Sequence, residues 1–436
     1  MRNAAAVLAL LLFTAPSAAA RRRAVAPRIN PIPAAAVWLQ QNAVPFATTE
    51  PRTPLDDLAP LGAILGEARI VALGEATHGS REFFTMKHRI VELLVREHGF
   101  TVFAIEAHVA DADRINDYVL NGIGDPADLL LKMGMWTWNT DEVLDLIRWM
   151  REYNLERGSR PPVSFRGFDV QSTEAAIAAV DAYLKRVDPD DAAALSAKFG
   201  CFRGHALFPT STYRAQPAEE RDACAANLTA LHDDLAARRE TYIARSSAGE
   251  FETILHYARV VVQSEGHGAG RAPGRDPWMA ENAAWIANVQ HPGEKIVLWA
   301  HNNHVTTETA SRMGTELRRV FPPAVMITVG FMFDRGDFWA YADLTKPVAV
   351  HHLEPWPEAL YEPLFRATGH ELFFVDLRDV SSAEARSIFE STSSIWRIGG
   401  VFNPAVEATT REVTTLSRAF DVVIWIESVS PTRQRR

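Results

Sequence analysis

The chain has 436 residues, 47% apolar and 23% charged, with a formal net charge of −9. That balance excludes disordered, collagen-like and coiled-coil architectures, and its negative sign argues against a nucleic-acid grip built on phosphate neutralisation or attraction to an anionic membrane. Two cysteines, Cys201 and Cys224, are too few for a disulfide framework or a four-thiolate zinc site.

Residues 1–20 read as a secretory signal: Arg2 supplies a positive start, Ala4–Phe13 an apolar run too short to span a bilayer, and Ser17-Ala18-Ala19-Ala20 a small-residue cleavage site. No later stretch reaches transmembrane length without charges. The expected product is a soluble periplasmic or secreted protein with no membrane partner once the signal is removed. In such a compartment Cys201 and Cys224 are candidates for one structural bridge rather than a catalytic thiol.

Short apolar, β-branched-rich runs ending abruptly in polar residues mark strands covered on both faces. They are Ile70–Leu73, Thr101–Ile105, Val163–Phe168, Lys295–Ala300, Ala324–Val329, Glu371–Val375 and Asp421–Ile426. Between them run helical patterns. Phe83, Met86, Ile90, Leu93 and Leu94 repeat at three and four before the stop at Gly99, and Val143, Ile147 and Met150 follow Asn139-Thr140. The alternation predicts an α/β protein with a mostly parallel sheet flanked by helices.

From Ser172 to Gln290 the rhythm breaks, because the segment carries helix formers but no convincing strand. It predicts a helical insertion over 172–290, with helices Glu174–Val187, Ala218–Ser246 and Phe251–Glu265 and an exposed loop Gly266–Asp276. The α/β body then comprises 21–171 and 291–436, and the insertion covers the carboxyl ends of its strands. Arg21–Arg23 and Arg433–Arg436 are expected to be solvated ends.

Open parallel sheets place their sites beyond the carboxyl strand ends. Polar groups gather there: Glu75 and His78 in Gly74-Glu75-Ala76-Thr77-His78-Gly79, then Glu106, then Asp169, then His301 and His304 in His301-Asn302-Asn303-His304. One such residue caps a helix as readily as it catalyses. Four strand ends together suggest a general base with its orienting partner, His78 and Glu75 being the natural pair. Lys87 shares a helix face with Phe83, Ile90 and Leu94 and leans back toward the His78 turn, where an ammonium could stabilise an oxyanion. Trp136 and Trp138 offer an apolar substrate wall near that rim, which Trp299 also approaches.

The chain has neither a Gly-x-Ser-x-Gly elbow nor a phosphate-cradling glycine loop. Glu75, His78, Glu106, His301 and His304 are acceptable zinc or manganese ligands, although their spacing matches none of the strong zinc motifs. A metal-dependent hydrolase and a non-catalytic exported binding protein therefore stand beside the acid–base reading.

Gly74–Gly79 with Glu82-Phe83-Phe84, Phe103–Ala107, Arg166–Asp169 and Trp299–Val305, in that order, resemble the erythromycin esterase family. Met279–Asn282 and Met313–Thr315 resemble its helices, and the likeness runs from about Ile70 to Ile426. The resemblance implies hydrolysis of a small-molecule ester, in the best-known members a macrolide lactone, with no metal or other cofactor and no covalent acyl-enzyme. It assigns His78 as the base that activates water and Glu75 as its orienting group, with Glu106, His301 and His304 lining the cleft. The expected catalytic set is His78, Glu75, Lys87 and His301, the last two stabilising the oxyanion. Asp169 and Trp136 are expected to help bind substrate. Lys87 matches a family arginine, keeping the charge but losing the planar fork. The export signal is a second departure, since antibiotic-inactivating members are expected in the cytoplasm.

Overall fold

The computed structural model describes residues 32–205, 207, 211–356 and 361–435. The signal read in residues 1–20 and the Arg21–Arg23 run lie outside the described residues. Eleven strands occur among those described: β1 (Val44–Pro45), β2 (Ile70–Leu73), β3 (Phe100–His108), β4 (Ser164–Asp169), β5 (Lys295–Trp299), β6 (Met326–Tyr341), β7 (Val348–Leu353), β8 (Leu372–Asp376), β9 (Thr392–Trp396), β10 (Arg411–Thr415) and β11 (Val422–Val429). Nine form one sheet in the order β1-β8-β11-β6-β2-β5-β3-β4, with β7 paired to β6, while β9 and β10 make a separate hairpin.

The sheet is parallel from β11 through β6, β2, β5 and β3 to β4 and antiparallel where β8, β1 and β7 join. Every residue of β2 and β3 is buried. Their side chains alternate between two cores, because successive residues of a strand point to opposite faces. Val71, Leu73, Phe103 and Ile105 pack with Phe83, Met86, Ile90 and Val143 on one face. Ile70, Ala72, Val102 and Ala104 pack with Met279, Ile286 and Leu317 on the other. All seven strands read from the sequence coincide with observed ones, with ends shifted by a few residues except in β6, which continues to Tyr341.

Helices Glu174–Val187, Ala218–Ala237 and Ala248–Ala269 build a third core through Ile177, Leu184, Leu228, Leu231 and Val261. Cys201 and Cys224 are disulfide-bonded within this helical unit. The predicted helix Ala218–Ser246 is interrupted at Arg238, and the predicted loop Gly266–Asp276 is shortened at both ends by helix. One helix runs on to Ala269 and the next begins at Arg275, leaving only five residues between them. That next helix, Arg275–Trp285, lies in the predicted insertion but packs on the sheet, since Met279, Ala280 and Ala283 contribute to the core beneath it.

The arginine-rich end is not a solvated tail as far as Arg435. The Thr432 N–H donates to Gly79 O at 3.0 Å, the Arg435 N–H to Asn139 O at 3.0 Å, and the Arg435 guanidinium lies 3.1 Å from Asp141. Backbone groups of the segment thus pair with the loops that carry the site. Among the described residues no helix is long and apolar enough to cross a membrane.

Candidate active site

β2, β5, β3 and β4 lie side by side, so their carboxyl ends bring residues from four distant parts of the chain to one rim. Two glycines let the first turn pack closely enough. A Cβ on Gly74 would lie 2.1 Å from Asn302 Oδ1, and one on Gly79 would lie 2.1 Å from Trp339 O. Asn302 in turn joins this rim to β6, donating to Phe331 O at 2.7 Å and accepting from the Phe331 N–H at 3.1 Å.

Glu75 is fully buried. One of its oxygens lies 2.6 Å from His78 Nδ1; the other accepts from Lys87 Nζ at 2.6 Å and from Trp299 Nε1 at 2.9 Å. A carboxylate only accepts hydrogen bonds, so His78 carries its proton on Nδ1 and leaves Nε2 free to act as a base. His78 lines a cavity of about 690 Å³ together with Glu106, Trp136, Trp138, Arg275 and His304. Trp138 stands edge-on to the His78 ring at 5.8 Å and donates to Glu106 O at 2.8 Å.

Lys87 does not reach the rim. Its ammonium is buried behind Glu75, 4.5 Å from the Trp299 ring, and it does not line the cavity. The oxyanion role read for it from helix geometry is therefore corrected. Burial pushes its pKa down to about 8, with the Glu75 carboxylate opposing the fall.

Arg275 supplies a cation at the rim. Its Nε and Nη2 donate to the two oxygens of Asp169 at 2.9 and 2.7 Å, and Nη2 also donates to Glu106 Oε1 at 2.6 Å. Asp169 is fully buried and clamps Arg275 instead of lining the cavity, so its expected substrate contact is also corrected. Glu106 receives the His301 N–H on its second oxygen at 3.0 Å. Burial works against its charge, but His304 and Arg275 outweigh that and hold the carboxyl well below its ordinary range.

The two histidines after β5 differ in kind. His301 has a backbone N–H aimed at each ring nitrogen, Asn303 N–H at Nδ1 and Gly399 N–H at Nε2, both at 3.1 Å, and its Nε2 also lies 3.2 Å from Ala76 O. Burial and the neighbouring His78 and His304 hold its pKa well below normal. Both nitrogens are engaged by backbone, which leaves His301 a neutral wedge 5.1 Å from the His78 ring, and the catalytic role expected of it is corrected. His304 lies 2.7 Å from Asp276 and 3.3 Å from Glu106. Burial lowers its pKa, yet these carboxylates raise it to about 9. The two carboxylates favour the charged ring, while Arg275 Nη1, 3.2 Å from His304 Nε2, opposes it, so Arg275 and His304 together face the carboxylates of Glu106, Asp169 and Asp276.

With the site in view, comparison with known proteins is decisive at the family level. Residues 95–429 match the erythromycin esterase family. The chain belongs to that family. It is 26% identical over 289 residues to erythromycin esterase type II of Escherichia coli, covering 62% of this chain and 68% of that protein. A crystal structure of a Bacillus cereus protein matches with a TM-score of 0.81 at 28% identity, over 92% of this chain and 98% of that one. A mutant of the erythromycin esterase EreC in its open conformation matches with a TM-score of 0.66 at 18% identity, over 87% and 96% respectively, which is a likeness of fold.

Membership of the erythromycin esterase family points to a hydrolase. Within this member the structure brings Glu75, His78, Glu106, His301 and His304 together, and Trp136 joins them on the cavity wall, 5.7 Å from the Tyr341 ring. Arg275, Asp276 and Tyr341 were not legible as site residues. The available signal was Arg275-Asp276-Pro277 before an apolar run, because proline is common in a first helical turn. Among the described residues no group of three or more His, Cys, Asp or Glu side chains is arranged to hold a metal ion. The rim donors are engaged with one another instead.

Proposed function

We propose that this chain hydrolyses an ester with water activated by His78 and without a covalent intermediate. The observation that carries the reading is the 2.6 Å contact between Glu75 and His78 Nδ1 at the wall of the 690 Å³ cavity. It leaves Nε2 of a correctly held imidazole facing a space large enough for a substrate.

In this reaction Nε2 takes a proton from water and the hydroxide attacks the ester carbonyl. The oxyanion that forms is stabilised by the His304 imidazolium and the Arg275 guanidinium, both fixed in advance by carboxylates. Collapse breaks the bond to the alkoxide, which takes the proton from His78. The products are a carboxylate and an alcohol, and the net proton leaves to solvent.

The test is the His78→Ala variant against a panel of open-chain and macrocyclic esters, read by mass spectrometry as the gain of one water. Loss of hydrolysis with a nearly unchanged melting temperature supports the reading. Undiminished hydrolysis overturns it.

Export belongs to the same proposal. The leader pattern of residues 1–20 supports it, and so does the Cys201–Cys224 bridge, since disulfides persist in oxidising compartments. Amino-terminal sequencing of the protein recovered after expression in a Gram-negative host tests it. A chain found in the periplasm or medium beginning near Arg21 agrees, and a cytoplasmic chain retaining residues 1–20 contradicts it.

A further inference from the structure

Among the described residues two cavities meet at His78. The first is the 690 Å³ space walled by Trp136, Trp138 and Tyr341. The second, about 370 Å³, is lined by His301, Asn303, His304, Arg397 and Thr410. His78, His304, Gly400 and Val401 line both.

The divider is the strap Ile398-Gly399-Gly400-Val401. It is pinned on both sides: the Ile398 N–H donates to Ala76 O at 3.0 Å and the His78 N–H to Gly399 O at 3.2 Å, while the Tyr341 N–H donates to Gly400 O at 2.8 Å and the Phe402 N–H to Tyr341 O at 2.8 Å. A Cβ on Gly400 would lie 3.7 Å from Trp136 and 3.9 Å from His78, so the strap runs directly against the reacting imidazole. The strap thus lies between two spaces that both reach His78.

The two sides differ in chemistry. The larger cavity is aromatic and mixes the carboxylates of Glu106 and Glu174 with Arg275 and His304. Among the described residues the smaller has no carboxylate in its lining; it shares His304 with the larger and adds Arg397. Arg397 uses its backbone N–H on Thr410 O at 2.7 Å, and its guanidinium has no hydrogen-bond or ion-pair partner among the described residues. An unpaired guanidinium in such a place suits an anion, which it can bind through two parallel hydrogen bonds.

Resting on the proposed ester hydrolysis, we propose that the smaller cavity is the acyl subsite for an open-chain ester whose acid part carries a second anionic group, with the larger, apolar alcohol part lying against Trp136 and Tyr341. Hydrolysis adds water oxygen to the carbonyl carbon and breaks its bond to the alcohol oxygen. The acid part, with its second anionic group, then lies on the side of Arg397. A macrolactone suits this division less well, because both arms of its ester belong to one ring and have to share one side of the strap.

The experiment compares three probes on the purified protein: the aryl hemi-ester of a four-carbon dicarboxylic acid, the butyrate ester of the same aryl alcohol, and a 14-membered macrolactone. The expected kcat/KM is about tenfold or more higher for the hemi-ester than for the butyrate, the scale of one charge-assisted hydrogen bond. In Arg397→Gln that ratio falls to about 1, chiefly through KM. Added salt lowers the wild-type ratio, a reading that needs no variant to fold. Equal rates on the two open-chain esters, a ratio indifferent to both Arg397→Gln and salt, or faster opening of the macrolactone overturns the subsite while leaving the hydrolase reading intact. No hydrolysis of any probe overturns both.

Discussion

Lys87 Nζ lies 2.6 Å from Glu75 Oε2, and neither side chain is exposed to solvent. The lysine therefore holds the group that holds the base. With Trp299 as a second donor to the same oxygen, Glu75 is fixed as an acceptor whose remaining oxygen has one partner, His78. The charge of Lys87 reaches the reaction only through this chain of contacts.

Removing Lys87 should be felt as stability. Lys87→Ala leaves the Glu75 carboxylate buried without its cation, and the expected loss is about 3–5 kcal/mol of folding free energy. Equilibrium urea unfolding measures it directly. A variant as stable as the parent would mean that Glu75 is neutral or rehydrated.

Glu75→Gln addresses orientation. The amide is similar in size, but it cannot match a carboxylate as acceptor from His78 Nδ1 and Lys87 Nζ together, so the imidazole loses its fixed tautomer. The expected fall in kcat is about 10²–10⁴-fold, the usual span for a positioned acid–base catalyst. A wild-type kcat in a folded Glu75→Gln protein would take the pair out of the mechanism.

Arg275→Lys asks whether charge or shape matters at the rim. Arg275 spans Asp169 with two donors and reaches Glu106 with a third, whereas an ammonium is a point charge without that fork. The expected loss in kcat/KM is roughly 10- to 100-fold, the scale of one or two charge-assisted hydrogen bonds. Steady-state kinetics on any ester the parent cleaves decides it, and parity between lysine and arginine would reduce Arg275 to its charge alone.

Much of this arrangement was readable because strand periodicity and strand-end polarity are local properties. Glu75, His78, Glu106 and His304 follow directly from the ends of β2, β3 and β5. Lys87 was placed on the correct helix face but at the wrong depth, because leaning toward the His78 turn does not say whether a carboxylate intercepts the ammonium. Arg275 was lost because Gly266–Asp276 is rich in glycine, proline and arginine, which reads as loop. The flanking helices advance into it from both sides, and only the fold brings Asp169 and Glu106 from other strands to meet that side chain. The strap at Gly399-Gly400 has no periodic signature at all. Its importance comes from hydrogen bonds to Ala76, His78 and Tyr341, all distant in the chain.

The charge on His304 makes stability depend on pH in a defined direction. Burial disfavours that charge, but Glu106 and Asp276 raise the folded pKa to about 9, against about 6.5 for an unfolded histidine. The folded state holds the proton more tightly, so the stabilisation is fully present below about pH 6.5 and is lost as the pH rises through about 9, on the order of 3 kcal/mol in all. Lys87 acts in the opposite sense at alkaline pH, because its folded pKa of about 8 lies below that of an unfolded lysine. That contribution is common to the parent and His304→Gln and cancels in their difference. The measurement is therefore the difference in unfolding free energy between the two proteins at several pH values. It should shrink steadily between about pH 6.5 and 9, and a gap that stays constant or widens would show that His304 is neutral in the folded protein.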